Sequence, residues 1–171
     1  MICLDTNIVI GVVNGRNSSL RHRLGEQMRA GTPIALPVIA LFEMRYGFAK
    51  SDRREHSEQL LERFLGLGID VLPFEPEDAT HAGDIRDELE KAGTPIGHYD
   101  YLIAAQARRR GATLVTANVR EFARVPGLLL TIGRREGAGR RRWPLEHDLE
   151  KCVVVFRKDH AQSKSMIRKS V

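Results

Sequence analysis

Two cysteines are all that this chain has, and Cys3 and Cys152 lie far apart in it, each in apolar company. A disulfide framework or a zinc site wants clustered Cys and His, so both thiols are expected to be buried and structural. No apolar run approaches the ~20 residues that a membrane span needs. The N-terminus also lacks the basic stretch and apolar run of an export signal. These absences lead to the expectation of a cytoplasmic protein with no membrane segment. There is no internal repeat either, which sets aside solenoids and propellers.

Positive charge is missing where a nucleic-acid argument from pI would need it. The chain carries a formal net charge of +5, but residues 134–171 hold eleven Lys or Arg against five Asp or Glu. Residues 1–133 hold sixteen basic against seventeen acidic residues. The basicity therefore belongs to the tail, and bulk charge says nothing about the domain before it.

What is present is an ordinary globular composition, 42% apolar and 29% charged over 171 residues, enough for one self-stabilising domain. Short apolar runs at Ile2–Leu4, Ile34–Leu36, Ile69–Leu72 and Thr113–Val115 read as strands, with Leu128–Ile132 as a possible fifth. Helical patterns fall between them at Leu20–Ala30, Val38–Lys50, Arg53–Leu65, Pro76–Lys91 and Tyr99–Arg110. Gly93 to Gly97 reads as a loop leading into a helix. Strands alternating with helices predict an α/β fold with a parallel sheet covered on both faces.

The acids fall at telling places in that order. Asp5 follows the first strand, in Leu4-Asp5-Thr6-Asn7. It could cap a helix whose first turn is Asn7–Ile10, or be a functional carboxylate held at the open end of the sheet. Glu43 is a charge amid Ile39, Leu41, Phe42 and Met44, and burial would oblige it to find a cation, a donor or a metal. Asp100 opens an apolar helix, where the positive end of the helix dipole would suit it. Asn118 and Glu121 follow the strand at Thr113–Val115. Each has an ordinary explanation singly. Together they stand at one edge of the predicted sheet, and three acids with an amide in one cleft would repel unless a cation sat among them. Oxygen ligands with no nearby Cys or His pair point to Mg2+ or Mn2+.

These motifs carry a resemblance. LDTNIVI at 4–10, the helix around Glu43, PIGHYDYLIAAQA at 95–107 and GATLVTANVREFARVPGL at 111–128 together resemble a PIN-domain ribonuclease, of the VapC type found as toxins in toxin–antitoxin systems. The resemblance implies a three-layer α/β/α sandwich with a short, mainly parallel central sheet. It also implies Mg2+- or Mn2+-dependent cleavage of structured RNA (tRNA or rRNA), a homodimer, and a small antitoxin partner. It makes Asp5, Glu43 and Asp100 the metal-binding acids, with Asn118 catalytic where many relatives carry a fourth Asp. Thr6 would add a hydroxyl near the metal, Asn7 would hold the carboxylate loop in shape, and Glu121 could act through water.

Cations for the substrate are less sharply marked. Arg45 and Arg120 are available for phosphate, although Arg45 could equally pair with Glu43. The run Arg108-Arg109-Arg110 reads as a solvated helix end. His98 is as well placed for a solvent-facing loop as for catalysis. A haloacid-dehalogenase phosphatase also places Asp after its first strand but needs a second Asp two residues on, where this chain has Asn7. A nuclease of RNA maturation and a non-catalytic RNA- or protein-binding module remain as alternatives. Residues 1–133 are expected to be the nuclease domain. Residues 134–171 form a basic extension, weakly structured or adding one strand at Cys152–Phe156.

Overall fold

A computed structural model describes residues 1–15 and 18–133. The expected linker after Gly133, the strand at Cys152–Phe156 and the frayed end from Ser163 lie outside the described residues, as does Cys152. The elements run β1 (Ile2–Leu4), α1 (Thr6–Val13), α2 (Ser18–Arg29), β2 (Ile34–Pro37), α3 (Val38–Ala49), α4 (Arg54–Leu65) and β3 (Asp70–Leu72). They continue with α5 (Pro76–Lys91), α6 (His98–Arg109), β4 (Thr113–Thr116), α7 (Val119–Phe122) and β5 (Leu129–Ile132). Every strand pairing is parallel, and the sheet order is β3-β2-β1-β4-β5. Helices pack on it to give the expected α/β/α sandwich.

That order places the site. The chain winds outward from β1 through β2 to β3, then returns to lay β4 on the other side of β1. The winding direction therefore reverses between β1 and β4, and the loops leaving their C-terminal ends diverge there into a crevice. β1 fits its central place by being apolar on both faces, Cys3 and Leu4 being fully buried. Cys3 is the structural thiol expected, and burial pushes it up to about 11. The outer strands are different: β3 exposes Asp70 and Val71, and β5 exposes Leu129 and Ile132.

Helix α5 begins where expected because Pro76 sits at its first position and Glu75 and Asp78 form a reciprocal capping box. The arginine run is a correction. Arg109 pairs with Asp78 and Glu75, and Arg110 Nη1 stands 2.7 Å from Asp78 Oδ1. Arg108 donates to the His81 ring and backbone. These side chains are not a solvated helix end; they clamp α6 against the start of α5, and Asp78 is fully buried beneath them. Gln106 on the same helix donates to the carbonyls of Leu72 and Pro73, tying α6 to the end of β3.

Candidate active site

Asp5 leaves β1 with its N–H donating to Val115 O at 3.0 Å, so the ladder to β4 runs right up to it. Its carboxylate is 3% exposed and carries three donors. Oδ1 accepts from the Thr6 N–H at 2.7 Å, while Oδ2 accepts from Asn7 Nδ2 and from Thr116 Oγ1, both at 2.6 Å. Asp5 is indeed the N-cap of α1, so the ordinary reading of the sequence holds. It is not the whole account, because a solvated cap has no need of the second and third donors.

The loop after β4 is stitched to the same place. Asn7 Oδ1 accepts from the Ala117 N–H at 3.1 Å, and Thr116 Oγ1 accepts from the Asn118 N–H at 2.9 Å. Thr116 thus links Asp5 to Asn118 through one fully buried hydroxyl. Sequence reasoning assigned it no role. Its signal lay in a hydroxyl directly after the apolar pair Leu114-Val115, one that the fold must satisfy with a partner if it is buried.

Glu43 comes from α3 and accepts from Thr6 Oγ1 at 2.5 Å. Arg45 does not reach it: its guanidinium stands 2.9 Å from Glu62 and 3.7 Å from Glu58, both on α4. Asp100, in the first turn of α6, has Glu121 of α7 among the carboxyls that act on it, and Glu121 Oε2 accepts the Gly97 N–H at 3.3 Å. Gly97 is required here, since a Cβ on it would lie 2.6 Å from Asp100 Oδ2. His98 is exposed as the first residue of α6, and Arg120 is exposed on α7 with no ion pair among the described residues.

The electrostatics tie these acids into one group. Burial pushes Asp5 above its ordinary range against its three donors, with Glu121 adding to the shift. Glu43 rises to about 7 through burial, with Asp5 adding to it. Asp100 rises to about 8, from burial first and then the charges of Asp5, Glu43 and Glu121. The favourable helix end expected for Asp100 is outweighed by burial and then by its acidic neighbours. Asp5, just after β1, and the carboxyls of Glu43, Asp100 and Glu121 on α3, α6 and α7 therefore form one electrostatic group, and among the described residues no arginine pairs with Asp5, Glu43 or Asp100.

Among the described residues no three acid, His or Cys side chains already stand in metal-holding geometry. The donor set nevertheless suits a hard divalent cation: every functional atom is oxygen, and each carboxylate resists ionising beside the others.

Three comparisons bear on this arrangement. The family model described as PIN domain matches residues 2–128. The tRNA(fMet)-specific endonuclease VapC of Shigella flexneri is 41% identical over 125 residues, 73% of this chain and 92% of its own length. Ribonuclease VapC2 of Rickettsia felis is 38% identical over 127 residues, 74% of this chain and 93% of its own. Among solved structures, VapBC2 from Rickettsia felis bound to a DNA fragment from their promoter superposes with a TM-score of 0.73. It is 36% identical over 77% of this chain and 98% of that one. DNA-bound VapBC from Salmonella typhimurium gives a TM-score of 0.72 at 34% identity, covering 78% of this chain and all of the other. Among the described residues no helix is long and apolar enough to cross a membrane.

Proposed function

This chain belongs to the PIN-domain family, and from that premise we propose that it is a VapC-type endoribonuclease, the toxin of a toxin–antitoxin pair. The observation that carries the reading is that Thr6 joins two of the acids, its N–H donating to Asp5 and its hydroxyl to Glu43, while the charges of both act on Asp100, and among the described residues no arginine pairs with any of the three. In this reading Asp5, Glu43 and Asp100 hold Mg2+ or Mn2+, which when bound lowers the pKa of water and neutralises charge on the phosphate.

The chain's own residues do the positioning. Thr116 and Asn7 fix one carboxylate oxygen of Asp5, the Thr6 N–H fixes the other, and the Thr6 hydroxyl aims Glu43. Glu121 orders the start of α6 by accepting the Gly97 N–H, and Asn118, tied by its N–H to Thr116 Oγ1, is a neutral residue that adds no further repulsion. Arg120 stands on α7 between Asn118 and Glu121, with no salt bridge among the described residues, and would meet a substrate phosphate. Arg45 is already engaged by Glu58 and Glu62, so its part in binding RNA is the lesser one.

The substrate is structured RNA. The Shigella flexneri relative is named for the initiator tRNA, which makes that tRNA the first to try. A small antitoxin partner, a homodimer and a cytoplasmic setting complete the proposal, and residues 1–133 are its catalytic unit. The test is incubation of purified protein with tRNA, with and without Mg2+ or Mn2+, beside Asp5→Ala and a chain ending at Gly133. Metal-dependent cleavage by the full and shortened chains, abolished by Asp5→Ala, is expected. Equal cleavage by Asp5→Ala would refute the nuclease reading, and a large loss on truncation would refute the assignment of activity to residues 1–133.

A further inference from the structure

Each of two metal-site candidates is preceded in the chain by an exposed aromatic ring. Phe42 comes before Glu43 and Tyr99 before Asp100; the two rings are 46% and 36% exposed. Their centroids are 5.4 Å apart, edge to face at 68°, and Phe42 also lies against Tyr46 at 6.1 Å and 15°. Lys50 Nζ stands 4.0 Å from the Tyr46 centroid. Phe42 and Tyr46 share one face of α3 and Lys50 caps its end, a run of roughly 12 Å along the helix.

Building on the nuclease reading, we propose that Phe42, Tyr46 and Tyr99 form a stacking platform for nucleobases neighbouring the phosphate that is cut. A phosphodiester brought to Glu43 and Asp100 carries its adjoining base to within reach of these rings. Every base has a π-face, so such a platform orients single-stranded RNA with little sequence preference. Flat rings bordering an acidic cleft and followed by an ammonium suit alternating bases and phosphates. An aliphatic groove for a partner helix would lack both the rings and the charge.

The test uses the full chain carrying Asp5→Asn, so that RNA is bound but not cut, and a short single-stranded RNA containing 2-aminopurine. Binding is expected to quench the 2-aminopurine. Phe42→Ala and Tyr99→Ala should each raise Kd roughly five- to a hundredfold and relieve the quench, at an unchanged dependence on salt. Phe42→Trp and Tyr99→Phe, which keep a ring, should restore both, whereas Lys50→Ala should lower the salt slope by about 0.7. In the cleaving protein the loss should reside in KM. Tight, unquenched binding by the alanine variants overturns the platform alone. Unchanged RNA affinity with a shift to a smaller species in light scattering overturns it in favour of an interface between copies of the chain. No RNA binding by the ring-bearing parent brings down the nuclease reading as well.

Discussion

Replacing Asp100 by asparagine is expected to stabilise the protein in the absence of a divalent cation. Asp100 sits at about 8 against an ordinary 3.8, raised by burial and by Asp5, Glu43 and Glu121. A carboxyl raised in the folded state holds a proton that the unfolded chain has already released. Its contribution to stability is therefore fully present below about pH 4 and is lost as pH climbs through 8. At about 1.4 kcal/mol per pKa unit, the roughly three units between 3.8 and pH 7 set a ceiling near 4 kcal/mol. Burial is the larger cause of the shift, and the repulsion between Asp5 and Glu43 remains once Asp100 is gone, so the gain from Asp100→Asn should be about 1–3 kcal/mol at neutral pH.

The assay is thermal unfolding in a chelator at pH 4 and pH 7.5. For a chain of this size each kcal/mol moves Tm by roughly 2–4 °C, so the variant should melt several degrees higher at pH 7.5 and close to the parent at pH 4. Excess Mn2+ should reverse the order, since binding to the folded parent alone raises its stability by mass action. A variant that melts at or below the parent at pH 7.5, or that gains equally at both pH values, would show that the acids do not strain one another.

Three further substitutions separate positioning from packing. Thr116→Val removes the hydroxyl that donates to Asp5 Oδ2; the Mn2+ concentration giving half-maximal cleavage should rise about 10–100-fold, with Thr116→Ser close to the parent. Gly97→Ala would set a Cβ 2.6 Å from Asp100 Oδ2 and turn that carboxylate aside. Cleavage should fall at least roughly tenfold while Tm moves little, because a side-chain end is cheap to displace and its geometry is what the chemistry needs. Asp78→Ala strands Arg109 and Arg110 against α5 and should cost about 3–5 kcal/mol in chemical unfolding, with activity per folded molecule retained.

Much of this was legible from periodicity and punctuation. Pro76–Lys91 is predicted and observed with the same bounds, because a proline at its start and a charged exposed face mark it without tertiary help. The possible strand at Leu128–Ile132 is β5, one residue shorter. The four residues of α7 span little more than one turn, too few to show a helical period, and were not anticipated. Asp5, Glu43 and Asp100 could be named because each is a charge set against an apolar run.

Partnerships were harder to read than positions. Arg45 lies two residues from Glu43, but side chains two apart on a helix do not face one another. Its partners on α4 became visible only once α3 and α4 were packed. Asp78 and Arg110 are likewise 32 residues apart, brought together by the pairing of α5 with α6.

How the arginines are used explains why the acid cluster can serve a cation. Arg109 and Arg110 are committed to Glu75 and Asp78, and Arg45 to Glu58 and Glu62. Among the described residues the candidate acids receive neutral donors, from Thr6, Asn7, Thr116 and the Gly97 backbone. An arginine in the cleft would have relieved the same repulsion permanently and filled the space with a tethered guanidinium. Neutral donors fix the direction of each oxygen while leaving its charge uncancelled, so in the proposed site a mobile cation would be what relieves the electrostatic strain. The two environments differ in outcome as well as in partner: Asp78, beneath its arginines, is held below the ordinary carboxylate range, whereas Asp100 is pushed to about 8. Within one domain, arginine is paired with the carboxylate that holds two helices together and kept from the carboxylates that face the crevice.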